Sequence, residues 1–143
     1  MQSPEELTAR FRAEGLKVTP QRQCIFRILH ENPTHPSAEA VYAVAREQMP
    51  TISLRTVYQT LNDLAAMDEV AVLDLGTGSV RFDPNQEGHH HLVCTGCGAV
   101  RDLWADFGDL SVPVGREEGY EVGRAEVVFR GLCGSCRSSN NPS

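Results

Sequence analysis

Apolar positions along the chain follow two different periods. Over the first half they recur at helical spacing. Ile25, Phe26, Ile28 and Leu29 share one face, as do Val41, Tyr42, Val44 and Ala45, and then Val57, Leu61, Leu64 and Ala65. The chain supplies a start signal for each helix. Ser3-Pro4-Glu5-Glu6 reads as an N-cap, a proline at the first helical position and acids in the first turn, with Gly15 as the stop. Thr19-Pro20-Gln21 repeats that grammar for a helix ended by Asn32-Pro33. Ser37 caps a third helix that runs to Met49-Pro50, and Ser53 caps a fourth. From Val70 the period becomes two. Val70–Leu75, the turn Gly76-Thr77-Gly78 and Ser79–Phe82 predict a β-hairpin. Helices followed by a hairpin make a winged helix-turn-helix the natural reading, with Thr51–Leu64 as its recognition helix. The outward residues Arg55, Thr56, Tyr58, Gln59 and Asn62 suit phosphates, base edges and a thymine methyl. A small helical domain with a solvated polar face is the other reading of this pattern.

Asp83-Pro84-Asn85-Gln86-Glu87-Gly88 is polar and punctuated, so the chain divides into a domain over 1–83, a linker over 84–88 and a second domain over 89–143. In the second, His89–Cys94 and Gly98–Leu103 read as strands joined by the turn Cys94–Cys97. Tyr120–Leu132 has alternating stretches that lead to Cys133. Gly108, Pro113 and Gly115 interrupt any helix over Trp104–Glu118, and Ser138–Ser143 reads as a frayed tail. The predicted class is α+β: an N-terminal winged helix-turn-helix domain and a small C-terminal α/β domain built on a zinc knuckle.

The chemistry concentrates in that second domain. Cys94/Cys97 and Cys133/Cys136 are two CxxC pairs, each placing two thiolates on one tight turn. Together they complete the tetrahedral shell zinc prefers, pinning the chain end back to the first hairpin. At about 60 residues the domain is of a size at which a metal often supplies missing stability. Cys24 stands alone on an apolar helical face and reads as core. On a strand, His89 and His91 point to one face and His90 to the other. If the knuckle closes a regular hairpin, residue 89 lies opposite 102, which puts Asp102 on the face of the two histidines. Two imidazoles and a carboxylate leave coordination positions open, and Asp83 at the linker and His35 before the third helix are the candidates to fill them. This is a harder nitrogen/oxygen site beside the soft sulfur site. His30 reads as a helix-end residue, and His90 has no assigned role.

Charge changes the picture by region. The 143 residues carry a formal charge of −6. Residues 1–82 hold eight Lys/Arg and ten Asp/Glu, net −2, and residues 83–143 hold five and nine, net −4. The acidity lies with the metal ligands, so whole-chain charge does not exclude DNA binding but asks metal and geometry to help. There is no apolar run near the ~20 residues a membrane span needs. MQSPEELTARF has neither the basic start nor the apolar core of a signal peptide. A cytoplasmic location is expected, where thiols stay reduced and CxxC pairs bind metal more often than they form disulfides.

From Leu7 to Cys136 these residues resemble the ferric-uptake regulator superfamily of bacterial metal-dependent repressors. The resemblance rests on Thr19-Pro20-Gln21-Arg22, on His35-Pro36 followed by Ala38-Glu39 and Tyr42, and on Ser53-x-x-Thr56-Val57-Tyr58-x-x-Leu61. It continues through Arg81-Phe82-Asp83, His89-His90-His91-x-x-Cys94-x-x-Cys97-Gly98 and Cys133-x-x-Cys136. It implies a homodimer whose N-terminal domain binds double-stranded DNA at an inverted repeat, with Tyr58 contacting bases and Arg55 contacting DNA. Thr56 and Gln59 stand on the same face, and Gln59 replaces the arginine or asparagine of many relatives. Within the family, His35, Asp83, His89, His91 and Asp102 are most similar to the ligand set of the peroxide-responsive branch. That implies one structural zinc and one regulatory iron(II) or manganese(II) per chain, with His35 or His89 oxidised when peroxide meets bound iron. The implied function is a metal-dependent transcriptional repressor that senses peroxide and is not an enzyme. The alternatives are an iron or manganese uptake repressor without the oxidation step and, more remotely, a non-haem metalloenzyme.

Overall fold

The computed structural model describes residues 1–76, 78–84, 90–123 and 125–139. It consists of two compact units, Met1–Gln86 and Glu87–Ser143.

The first unit contains α1 (Pro4–Ala13), α2 (Pro20–Leu29), α3 (Ala38–Gln48) and α4 (Leu54–Ala66), followed by β1 (Ala71–Leu73) and β2 (Arg81–Asp83). The four helices start where capping chemistry starts them. The side-chain oxygens of Ser3, Thr19, Ser37 and Ser53 each accept a hydrogen bond from the backbone N–H three residues on, satisfying donors the helix leaves open. At Ser3 the Glu6 carboxylate returns the bond to the Ser3 N–H, a reciprocal capping box. α4 turns Val57, Thr60, Leu61 and Leu64 inward at spacings of three and four, and all four are buried. The buried Thr60 hydroxyl donates to the Thr56 carbonyl at 2.8 Å, so its polarity is satisfied within the helix. Leu7, Phe11, Phe26, Val41 and Leu61 meet in one core, where the Phe11 and Phe26 rings stack edge-on with centroids 4.9 Å apart. Cys24 is buried there too, its thiol 3.4 Å from Gln48 Oε1. Arg22 pairs with Asp63 at 2.9 Å across α2 and α4.

The hairpin is shorter than its sequence pattern. Ala71, Val72 and Leu73 pair antiparallel with Asp83, Phe82 and Arg81. Gly76 and Gly78 both take positive φ, a turn conformation that neither strand can continue through. β2 runs on to Asp83 instead of stopping at Phe82, because Asp83 pairs with Ala71 and the Phe82 N–H donates to the Pro36 carbonyl at 2.9 Å.

The second unit holds β3 (His90–Cys94), β4 (Val100–Leu103), β5 (Val128–Gly131) and α5 (Gly134–Ser139). The sheet order is β4-β3-β5, with β4 antiparallel and β5 parallel to β3. The expected register needs correction: His91, not His89, lies opposite Asp102. The turn is wider than a regular two-residue hairpin. The last strand pair is Val93–Val100, and the Cys94 N–H reaches the Ala99 carbonyl at 2.9 Å while Gly98 sits at φ 78°. A slip of two residues keeps every side chain on its expected face, since the strand period is two. Of Tyr120–Leu132, only Val128–Gly131 forms a strand, and no helix or strand occurs among the described residues 104–127. The tail is ordered further than expected, as α5 runs to Ser139 with the Ser138 hydroxyl bonded to the Gly134 carbonyl. His89, residues 85–88 of the expected linker and residues 140–143 lie outside the described residues.

Phe26→Ala empties the centre of the helical core and is expected to lower the stability of the first unit by about 3–5 kcal/mol. Thermal and denaturant unfolding followed by circular dichroism measures it; a loss under about 1 kcal/mol would contradict the burial assigned to Phe26.

Candidate metal centres and nucleic-acid face

Cys94 ends β3, Cys97 closes the turn that follows, and Cys133 and Cys136 flank the start of α5. Their four sulfurs lie within 4.8 Å of one another. The Cys97 and Cys133 sulfurs are 3.8 Å apart, which matches the edge of about 3.8 Å in a tetrahedron with Zn–S bonds of about 2.3 Å. None of the cysteines is in a disulfide. The donor set therefore fits a tetrahedral zinc ion.

Backbone geometry prepares this cluster. The N–H groups of Cys133 and Cys97 point at the Cys94 sulfur at 3.3 and 3.4 Å. Those donors favour the thiolate and bring Cys94 down to about 6, while the neighbouring sulfurs of Cys133, Cys94 and Cys97 hold the proton on Cys136 and push it up to about 12. Thr95 N–H donates to the Gly131 carbonyl at 2.7 Å, fastening the first knuckle to the end of β5. Gly96 fills the x-x of the first CxxC for a steric reason. A Cβ there would lie 3.0 Å from the Cys136 sulfur and 3.1 Å from its Cβ. The spacing of the cysteines reveals the ligands, but only the packed knuckles reveal the need for glycine at 96.

In the first unit, His35 and Asp83 are both buried, with His35 Nε2 3.2 Å from Asp83 Oδ2. Ligand atoms at roughly 2.1 Å from a common ion lie about 3 Å apart, so this pair has the separation of adjacent ligands. His35 holds φ 51°, a sparsely populated conformation for a residue with a side chain and one that precedes a proline. The wing holds it there: Arg81 donates to the His35 carbonyl at 3.3 Å, and Phe82 donates to Pro36.

In the second unit, His91 is buried with Nε2 3.7 Å from Asp102 Oδ1, directly across the β3–β4 pair. Its other nitrogen, Nδ1, faces Glu126 Oε2 at 3.9 Å. Sequence reasoning did not single out Glu126, because it comes to His91 only through the parallel pairing of the neighbouring β5 with β3. His90 turns away, as its strand position requires. Its Nδ1 accepts the Val127 N–H at 2.8 Å while the His91 N–H donates to the Val127 carbonyl at 3.1 Å, and its ring stacks edge-on against Phe107 at 4.7 Å. His90 thus holds the segment that carries Glu126.

On α4, Arg55, Tyr58, Gln59 and Asn62 are exposed on one face. Thr56 is only half-exposed, with its hydroxyl 3.0 Å from the Ser53 hydroxyl of the cap. Tyr58 Oη donates to Glu39 Oε1 on α3 at 2.5 Å. His30 is the C-cap of α2.

Gly96→Ala must push the second knuckle outward, and it is expected to weaken zinc retention against a chelator by about tenfold or more, the size typical of groups that orient ligands. Retention equal to wild type would mean that the knuckles yield freely. A second expectation follows from the thiolate at Cys94. Its contribution, complete above the ordinary thiol value near 9, is lost only as pH falls through about 6. Zinc uptake at neutral pH should therefore release fewer than four protons per site, as read by potentiometric titration. Release of all four would contradict it.

Comparison with known proteins follows the same lines. The model of the ferric uptake regulator family matches residues 13–129. The ferric uptake regulation protein of Bacillus subtilis (strain 168) is 36% identical over 138 residues, covering 92% of this chain and 93% of that protein. The peroxide-responsive repressor PerR of Staphylococcus epidermidis is 30% identical over 138 residues, covering 96% and 92%. Among solved structures, a zinc-bound manganese uptake regulator superposes with a TM-score of 0.71 at 26% identity, covering 92% of this chain and 99% of that one. With more than half of its length matched by the family model and two such relatives along nearly all of it, the chain belongs to the ferric uptake regulator family.

Proposed function

We propose that this protein is a homodimeric repressor that binds inverted-repeat operator DNA when iron(II) or manganese(II) fills a regulatory site, and that it senses peroxide through that site. Regulators of the family are metal-responsive DNA-binding proteins that act as dimers and are not enzymes, which removes the metalloenzyme alternative. Among the described residues, no helix is long and apolar enough to cross a membrane. A repressor of this kind works where the chromosome lies, in the cytoplasm.

The observation that carries the reading is the division of donor types. Four of the five cysteines form the sulfur cluster, and the fifth, Cys24, is buried in the helical core. The regulatory set is then nitrogen and oxygen only: His35, Asp83, His91 and Asp102, with His89 as the fifth expected ligand. Hard and borderline donors of this kind suit iron(II) and manganese(II), whereas four thiolates suit zinc. The pairs His35–Asp83 and His91–Asp102 belong to different units, so an ion held by both would tie the winged helix to the dimerisation unit. Such an ion shifts the equilibrium toward the DNA-binding arrangement by its differential affinity for that state.

Peroxide sensing is the finer part of the proposal. His35, Asp83, His89, His91 and Asp102 would hold the ferrous ion, which when bound would supply the reactivity toward hydrogen peroxide; His35 or His89 would gain one oxygen atom on its imidazole while the other leaves as water. An oxidised ligand no longer holds its place, and the buried, strained loop at His35 is freed. Aspartates at both acidic positions, 83 and 102, support this branch. The 36% identity to the ferric uptake regulation protein, against 30% to PerR, favours a second reading: uptake control without oxidation.

Tyr58 and Arg55 then contact DNA through α4, with one such helix per half-site. Asp102→Ala should abolish metal-activated DNA binding while leaving zinc content and the dimer intact. Peroxide should release DNA from the iron-loaded protein and spare the manganese-loaded one, with mass spectrometry locating the added oxygen on the His35 or His89 peptide. Equal insensitivity of both loaded forms would replace the peroxide reading with the uptake reading. Failure of either metal to raise DNA affinity would remove both.

A further inference from the structure

A carboxylate on α3 is bonded to the exposed face of α4, and the DNA-reading role of that face does not call for it. Tyr58 stands in the second turn of α4, and its phenol donates to Glu39 in the first turn of α3 at 2.5 Å. Both side chains are exposed, so burial does not force them together. The bond has the short length of a charge-assisted O–H···O⁻ contact. It holds the Glu39 carboxyl below the usual carboxylate range, helped by Glu39's own backbone N–H, and it pushes the Tyr58 phenol above its usual value. A glutamate near the start of α3 is favourable to the helix dipole by itself, but that benefit requires no tyrosine.

Two consequences follow. The phenol proton is committed to Glu39, so Tyr58 meets DNA with a fixed ring and an oxygen that accepts rather than donates. The carboxylate also adds negative charge at Tyr58, on the helix face that exposes Arg55, Gln59 and Asn62 and is meant for a polyanion. Phosphates repel it equally whatever the sequence, whereas a fixed ring rewards only a matching base edge.

We propose that Glu39 is a positioning and specificity residue for DNA reading: it holds Tyr58 in its reading orientation and penalises indiscriminate phosphate contact. The inference rests on the assignment of α4 as the DNA-reading helix, and the experiment separates the two.

The full-length, manganese-loaded protein is used to select its tightest duplex from a random-sequence pool. Affinities for that duplex and for mixed-sequence DNA are then measured across a salt series for wild type, Glu39→Ala, Glu39→Gln and Tyr58→Ala. Glu39→Ala should bind the selected duplex about threefold or more weakly, the scale of one exposed hydrogen bond, and mixed-sequence DNA more tightly. Its salt dependence should steepen by part of the ~0.9 that one phosphate contact carries. Glu39→Gln keeps an acceptor oxygen without the charge, so it should gain on mixed DNA while keeping most of its affinity for the selected duplex. Ultraviolet titration of the phenols, referenced to Tyr58→Phe, adds a readout that loss of stability would not produce. Tyr58 should ionise at lower pH in Glu39→Ala than in wild type. An unchanged Tyr58 titration, or an unchanged ratio of selected to mixed affinity in Glu39→Ala while Tyr58→Ala loses that ratio, overturns the role of Glu39 alone. If Tyr58→Ala itself keeps the ratio, Tyr58 does not read bases, and the inference falls together with that assignment.

Discussion

Convergence of four sulfurs is the constraint on which the second unit depends. Among the described residues its regular structure is three strands of four or five residues and one short helix, and many large apolar side chains, such as Trp104, Val114, Tyr120 and Phe129, are exposed. Within a single chain, little apolar surface is buried to set against the conformational entropy of ordering some 55 residues at roughly 1–2 kcal/mol each. The knuckles supply a cross-link at the point of greatest leverage. Cys94 belongs to the central strand, Cys97 to the β3–β4 turn, and Cys133 follows β5, so one centre fixes all three strand ends. Zinc on four thiolates stabilises such a site by on the order of 10 kcal/mol or more. The approach of the knuckles is close enough that a Cβ at Gly96 would press on Cys136 at 3.0–3.1 Å.

The same strand positions His90 and His91. β3 leaves the knuckle with a fixed alternation, so His91 turns to the Asp102 side and His90 to the Phe107 side. Neither depends on the local preference of a histidine. His90 converts its place on the strand into a bond to the Val127 N–H, and that bond together with the main-chain pairing of His91 and Val127 sets Glu126 beside His91 Nδ1. A carboxylate on the second nitrogen of a metal-binding histidine fixes ring orientation and raises its basicity. In the first unit the same service comes from the wing, where Arg81 and Phe82 hold the His35–Pro36 backbone.

Local chemistry made much of this legible from the residues. Ser3, Thr19, Ser37 and Ser53 are read as caps because a side-chain oxygen at that position has one good use, and each helix begins at its cap. Cys24 is read as core because a lone thiol on an apolar face has no partner chemistry. The sulfur spacing points to zinc for the same kind of reason: two ligands on each of two turns. What the sequence could not supply is set by pairing between distant segments. The β3–β4 register came out two residues off because a knuckle that hydrogen-bonds its own sulfur is wider than a plain hairpin. Parity still kept Asp102 on the correct face. Alternation within Tyr120–Leu132 suggests a strand but not its parallel placement beside β3, and with it the position of Glu126. The packing demand at Gly96 and the bond from Tyr58 to Glu39 were likewise not legible, since each arises only through a residue on another element.

In the proposed function, metal and DNA meet on one short piece of chain. His35 precedes Pro36, Ser37 caps α3, and Glu39 lies in the first turn of that helix, bonded to Tyr58 of α4. Little slack exists along this path. Pro36 fixes its own φ, the Ser37 hydroxyl accepts the Ala40 N–H, and Val41 and Ala45 anchor α3 in the core. Electrostatic influence through solvent fades over about 8–10 Å, so a charge change at His35 acts on a distant helix mainly by moving atoms. If His35 is a ligand, as proposed, its position sets the entry of α3, and the entry of α3 sets the carboxylate that holds the reading tyrosine. The left-handed φ at His35 then has a physical use. A backbone held in a costly conformation by the wing and by a ligand has a lower-energy place to go once the ligand is lost. A relaxed residue at 35 would give the loss of metal far less to release.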